Sequence, residues 1–129
     1  MGNGEKIKDL YDAFGRGDVA AVLGAMSPDI SWTEAEGFMY GGKYHGPESV
    51  LHNVFMKLAT EWEGFSVHLS DIVDGGDKVV GLGNYSGKYL KTGKSVTVQF
   101  AHVWTFKDGK IAEFVQHTDT LVIAKTLGV

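Results

Sequence analysis

The feature that most constrains this chain is Asp108-Gly109, set between two runs of alternating apolar and polar residues. An Asp-Gly pair in that setting is the strongest short signal for a β-hairpin. Side chains alternate along a strand, so a regular two-residue turn fixes which residues share a face. Phe106 then opposes Ile111, Trp104 opposes Glu113, His102 opposes Val115, Phe100 opposes His117, and Val98 opposes Asp119. All ten fall on one face. Most are large and apolar, which predicts burial, yet the face also carries Glu113, His102, His117 and Asp119. Titratable groups on a buried apolar surface need partners or take part in chemistry. One extra residue in either strand would turn His117 and Asp119 away from His102 together.

The rest of the chain supplies helices first and strands after. Ile7, Leu10, Tyr11 and Phe14 recur at helical spacing, and Gly15 and Gly17 end that helix. Asp18 is a good N-cap for a second short helix with Val19, Val22, Leu23 and Met26 on its apolar face. A short strand over 30–34 puts Trp32 and Glu34 on one face, Trp32 as core or cavity wall and Glu34 ambiguous between a structural and a functional role. Residues 36–46 read as an ordered loop or irregular hairpin whose Tyr40 and His45 are candidates to close over a ligand. Pro47 suits the first turn of a third helix, with Leu51, Val54, Phe55, Leu58 and Trp62 as its buried stripe.

Strands follow over 65–73, 79–90, 95–106 and 111–121. If Thr92-Gly93 is also a two-residue turn, Phe100 opposes Tyr85, His102 opposes Gly83, Trp104 opposes Gly81, and Val98 opposes Gly87. Glycines facing His102 imply strong bending or room left for a ligand. The order of elements predicts an α+β fold, helices packed on one face of a curved, mostly antiparallel sheet. With 129 residues, the chain is expected to form a single domain, 1–129.

Composition removes several function classes. The formal net charge is −4 and the lysines are scattered, so no basic stripe marks a nucleic-acid or membrane partner. Cysteine is absent, which excludes disulfides, thiolate metal sites and cysteine nucleophiles. No apolar run approaches the roughly 20 residues of a membrane span. The first residues lack the apolar core of a signal peptide, and the expectation is a soluble cytoplasmic protein. None of the five histidines has tight ligand spacing to another, so no metal site is expected. Neither a Ser-centred nucleophile elbow nor a phosphate-cradling glycine loop is present.

Several segments together resemble a known family: two helices, a Trp-bearing strand, Tyr44-His45-Gly46-Pro47-Glu48 entering a long helix, and the closing stretch Phe100-x-His-Val-Trp-Thr-Phe-x-Asp-Gly-Lys-Ile111 continuing to Phe114-x-Gln-His-Thr-Asp-Thr120. The chain resembles the SnoaL-like proteins, relatives of ketosteroid isomerase in the nuclear transport factor 2-like superfamily. That resemblance covers nearly the whole sequence. It implies a cone-shaped α+β barrel enclosing an apolar cavity, usually in a homodimer. It is unspecific as to activity, because the fold hosts isomerases, cyclases, dehydratases, epoxide hydrolases and non-catalytic modules.

In SnoaL-like cyclases an Asp on the final strand is the acid/base, matched here by Asp119, and a His of the penultimate strand, matched by His102, lines the cavity. Limonene-type epoxide hydrolases use an Arg between two Asp residues on the sheet. The only Arg here is Arg16, at the end of the first helix, which argues against that mechanism. Scytalone-dehydratase-like enzymes pair histidines with tyrosines, a set that His102, His117, Tyr85 and Tyr40 could supply.

The resulting expectation is a cofactor-free acid/base enzyme of isomerase, cyclase or dehydratase type, acting on a hydrophobic carbonyl compound. Its catalytic candidates are Asp119, His102 and His117, with Trp32, Tyr40, Tyr85, Phe100 and Trp104 around the small apolar molecule. The plainer alternatives are a hydrogen-bonded core histidine at His102, a capping residue at Asp119 and a solvated rim charge at Glu113. A second class, a non-catalytic ligand-binding or dimerisation module, stays open. The hairpin's other face, Ala101, Val103, Ala112 and Phe114 interleaved with Gln99, Thr105 and Gln116, is half apolar and suits a homodimer interface.

Overall fold

A computed structural model describes residues 2–129. Helices α1 (Asn3–Gly15) and α2 (Val19–Gly24) lead into strands β1 (Met26–Glu34) and β2 (Gly42–His45). Helix α3 (Pro47–Val50), a π-helical segment (Leu51–Phe55) and α4 (Met56–Glu61) run on without a break. Strands β3 (Trp62–Asp74), β4 (Lys78–Tyr89), β5 (Ser95–Lys107) and β6 (Lys110–Thr118) follow, then α5 (Thr120–Thr126). The six strands form one curved, unclosed sheet in the order β2-β1-β6-β5-β4-β3. Only the β1–β6 pair is parallel; the others are antiparallel.

Local chemistry accounts for most of these boundaries. The Asp18 carboxylate accepts the Ala21 N–H at 3.1 Å and caps α2. Ile7, Leu10 and Tyr11 are the buried stripe of α1, laid against the concave side of the sheet. Asp108 and Gly109 have φ of 52° and 79°, the left-handed pair that a two-residue hairpin needs. Trp62, expected on the third helix, instead begins β3, where it is buried and pairs with Tyr89.

The two long hairpins depart from regular pairing in different ways. Between β4 and β5 the connection is longer than a two-residue turn: Lys88 pairs with Ser95, and the Tyr89 N–H donates to the Lys94 carbonyl. Every partner moves by two, so His102 meets Gly81 rather than Gly83, Phe100 meets Gly83, and Val98 meets Tyr85. A slip of two keeps each side chain on its face. Between β5 and β6 the shift is one. Phe106 pairs with Ile111, but Thr105 pairs with Glu113, leaving Ala112 as the extra residue of a bulge.

The bulge has an energetic reason. Ile111 and Phe114 lie three apart, so a regular strand would send one of them to solvent. With Ala112 bulged, both are buried, Phe114 at 2% exposure and stacked on Trp32 with ring centroids 3.8 Å apart. Burying a side chain of that size is worth roughly 1.5–3 kcal/mol. Regular pairing would also place the Glu113 carboxylate against Trp104 in the core, an unpaired charge in an apolar setting. Both effects favour the bulge.

The consequence reaches the end of the chain. Glu113, Val115 and His117 turn to the outer face, and Phe114 and Gln116 turn in. The sequence expectation that His102, His117 and Asp119 share one face is therefore corrected, and so is the assignment of Phe114 and Gln116 to the outer one. The last strand also ends earlier than the expected 121. Asp119 accepts the Val122 N–H at 3.2 Å and opens α5.

Candidate functional site

The concave face of the sheet, closed by α1 and the α3–α4 segment, holds a chain of hydrogen bonds centred on His102. Its Nδ1 lies 2.7 Å from the Tyr11 hydroxyl, and its Nε2 contacts the Tyr85 hydroxyl. The Trp104 indole N–H donates to the Tyr11 oxygen at 3.1 Å. The Gln116 amide donates to the Tyr85 oxygen at 3.0 Å and accepts the Ala35 N–H at 3.0 Å. Five side chains from α1, β4, β5 and β6 thus form one buried relay, tied to β1 through the backbone of Ala35.

Tyr11 reaches His102 because β4 gives way beneath it. A Cβ on Gly81, the residue paired with His102, would collide with the Tyr11 hydroxyl and lie 3.0 Å from its Cζ. A Cβ on Gly83 would meet the Phe100 ring at 2.8 Å and the His68 carbonyl oxygen closer still. The space left by these two glycines is filled by the protein's own rings.

Burial sets the electrostatics. It lowers the His102 pKa to about 3, with the nearby His117 adding to the effect, so the imidazole is neutral at physiological pH. Burial likewise pushes the Tyr11 hydroxyl well above its usual range, against the opposing Trp104 N–H. Tyr85 is raised by burial and then by the carboxyl of Glu34, against the Gln116 amide. Both tyrosines are protonated, and the relay carries no charge.

Glu34 is the exceptional group. Period two from Ile30 through Trp32 brings it to the inner face at the end of β1, where it is 4% exposed. Burial raises its pKa to about 8, and the neighbouring Trp32 indole opposes the shift. That indole closes no hydrogen bond to it: Trp32 Nε1 and Glu34 Oε2 are both buried without a partner. An unused donor and an unused oxygen in one apolar pocket are expensive to keep. The same pocket is lined by Tyr11, Tyr85, His102, Gln116, Trp104 and a ring of apolar residues that includes Phe14, Phe38 and Phe55.

The pocket is small, about 50 Å³. That is room for one or two water molecules, far below the ~300–1,000 Å³ of a typical ligand site. Aromatic rings occupy the rest of the interior: Phe55 is edge-on to both Trp32 and Phe14, with centroids 5.6 and 5.4 Å away. Phe55 belongs to the π-helical turn, an irregularity that recurs at functional sites.

Of the residues singled out in the sequence, the structure brings His102, Trp32, Tyr85 and Trp104 to the pocket. Phe100 stacks on His102 from the side, centroids 4.0 Å apart, without lining it. Tyr40 is buried next to the pocket and donates to Glu61. His117 and Asp119 lie on the opposite surface of the sheet, in an open pocket of about 670 Å³ with Gln99, Ala101 and Thr118. Tyr11 and Gln116 were not read from the sequence as site residues, and Glu34 stood there as ambiguous. The spacing of Ile111 and Phe114 would have revealed Gln116, and the period through Trp32 already placed Glu34 inward.

Among the described residues no group of three or more metal-ligating side chains converges, and no helix is long and apolar enough to cross a membrane. Fold and site together define a class: an α+β protein whose helices cover a curved sheet, with a polar relay and one buried carboxyl inside. The chain belongs to the SnoaL-like domain family, whose model matches residues 7–114.

Solved structures agree. An NTF2-like protein from Burkholderia thailandensis is 41% identical over 98% of both chains, with a TM-score of 0.96. An NTF2-like protein from Burkholderia pseudomallei is 28% identical over the full length of both, with a TM-score of 0.90. TerC, co-crystallized with polyporic acid, is 26% identical over 97% of both, with a TM-score of 0.86. No curated protein matches the chain.

Proposed function

We propose that this protein is a cofactor-free acid/base enzyme in which Glu34 moves a proton next to the carbonyl of a small hydrophobic compound. The observation that carries the reading is a buried carboxyl with an unpartnered oxygen and a pKa near 8, facing a neutral hydroxyl relay in an apolar pocket. A general base works best when its pKa lies near the operating pH, and burial supplies that here. Tyr11 or Tyr85, held by His102, would donate to the developing enolate oxygen, and the Trp32 N–H is a further donor. This logic of a tuned carboxyl beside a hydroxyl donor is the one the ketosteroid isomerases illustrate. In this reading Glu34 takes the acid/base role expected of Asp119, whose carboxylate is engaged in capping α5.

The pocket lining also limits the substrate. It holds no lysine or arginine, and its histidine is neutral, so an anionic group would find no counter-charge. An uncharged, flat, apolar carbonyl compound fits that chemistry. TerC was crystallized with polyporic acid, which supports a small organic ligand for this fold.

The test is deuterium exchange next to the carbonyl of a panel of hydrophobic ketones in heavy water, followed by proton NMR. Glu34→Gln should slow exchange by about 10²–10⁴-fold, the usual worth of positioned acid–base catalysis. Asp119→Asn should leave it within a factor of about two, because the amide also caps a helix. Exchange that survives Glu34→Gln and disappears in Asp119→Asn would overturn the assignment.

The size of the pocket favours a second reading, a binding or dimerisation module without catalysis. The outer face of the sheet, with half-buried Val80, Leu82, Ala101, Val103 and Val115, suits a second copy of the chain. Binding of ketones with no exchange of any of them would favour this reading.

A further inference from the structure

Counting hydrogens in the relay leads to a result that the acid/base reading does not contain. The Tyr11 oxygen already accepts from Trp104, and the Tyr85 oxygen already accepts from Gln116. Neither of those donors accepts in return at that atom. A neutral imidazole has one N–H and one bare nitrogen. One tyrosine must therefore donate to His102 while the other accepts from it.

The two arrangements are mirror images. With the proton on Nε2, Tyr11 donates to Nδ1 and keeps one lone pair open. Tyr85 then accepts from both His102 and Gln116, and its own hydroxyl hydrogen is unused. With the proton on Nδ1 the roles exchange: Tyr11 has the unused hydrogen, and Tyr85 the open lone pair. Tyr11 and Tyr85 are both among the residues that line the pocket.

We propose that His102 is a tautomer switch between Tyr11 and Tyr85, so that the pocket always presents one hydroxyl donor and one hydroxyl acceptor at opposite ends of the imidazole, and takes an uncharged hydrophobic ligand carrying both a carbonyl and a hydroxyl group. The carbonyl meets the tyrosine with the spare hydrogen, and the ligand hydroxyl meets the one with the open lone pair. A ligand with two carbonyls satisfies one end only; a second hydroxyl in place of the carbonyl also serves, because a hydroxyl accepts as well as donates. Because donor and acceptor exchange together, the site accepts such a ligand in either of two orientations. The proposal rests on the pocket being a ligand site that opens beyond its roughly 50 Å³ as the rings around it, Phe55 among them, move aside, but not on Glu34 acting as a base.

The ring nitrogens of His102 report the tautomer directly in ¹⁵N NMR, since protonated and bare nitrogens resonate far apart. In Tyr11→Phe the proton should sit on Nε2, because a buried N–H with no acceptor costs more than a bare lone pair. In Tyr85→Phe it should sit on Nδ1. The same tautomer in both variants, or an imidazolium at neutral pH, would overturn the switch. The unmodified protein gives a second readout that survives misfolding of either variant. 4-Hydroxyacetophenone should bind about tenfold more tightly than acetophenone and than phenol, the worth of one more hydrogen bond in each case, and should move the tautomer ratio. Equal affinity for the three would overturn the ligand class. Neither readout involves ionisation of Glu34, so the outcome is separable from that of Glu34→Gln.

Discussion

His102 and His117 stand on adjacent strands, His117 paired with the residue next to His102 in sequence, yet they belong to different environments. One lies inside, held on both ring nitrogens by tyrosine hydroxyls. The other lies on the outer surface. Their residue type is the same and their separation in the fold is a single step of the pleat. What distinguishes them is the parity of one hairpin: the two-residue slip between β4 and β5 leaves His102 inside, and the one-residue bulge at Ala112 puts His117 outside. In a sheet with one buried face, parity decides function more than proximity does.

The comparison breaks most visibly in stability. His102→Leu removes the shared partner of two buried hydroxyls, each costing about 1–3 kcal/mol when left unmatched. The variant should lose about 2–4 kcal/mol in urea unfolding. His117→Leu should change stability by less than about 0.5 kcal/mol, as surface changes usually do. Equal losses would mean that the two histidines are not on opposite faces.

A deletion sharpens the point about parity. Removing Ala112 takes out the extra residue without moving its neighbours' partners, since Thr105 would still face Glu113 and Trp104 would still face Phe114. The shortened protein should fold, at a cost of about 1–3 kcal/mol typical of single changes, with cross-strand NMR contacts between residues 104 and 114 retained. Loss of those contacts, with Val115 turned inward, would contradict the bulge.

The smallest expected effect belongs to Asp119. Asp119→Ala should cost about 1 kcal/mol through the lost α5 cap and leave the ¹⁵N and hydroxyl signals of the relay unmoved.

The fold was legible because its signals are local and redundant. The stripe Ile7, Leu10, Tyr11, the Asp18 cap, the turn at Asp108-Gly109 and the order of helices and strands all agree. The family pattern spread over the chain points to the same architecture. The candidate site was half legible. Inward placement of His102, Tyr85 and Trp104 survived a wrong pairing of β4 with β5, because an error of two residues preserves the face. His117 and Asp119 did not survive an error of one. Tyr11 looked like an ordinary core residue of an amphipathic helix; only the missing side chain at Gly81 lets its hydroxyl reach His102, and that is a tertiary fact. Glu34 was ambiguous because period two gives a face, while the depth of burial that shifts its pKa depends on what covers the strand.

The central claim is that burial moves the titration of Glu34 up to about pH 8, within reach of the operating pH of a general base, and its own titration tests this most directly. The ¹³C signal of its carboxyl carbon, assigned by comparison with Glu34→Gln, should titrate near pH 8 rather than near the ordinary 4.5. The sign carries over to stability. Between pH 4.5 and about 8 the folded protein keeps a proton that the unfolded chain has lost, so stability should fall with rising pH across that window. The limb is worth about 1.4 kcal/mol per pH unit, and Glu34→Gln should remove it. A Glu34 midpoint near 4.5 would contradict the account.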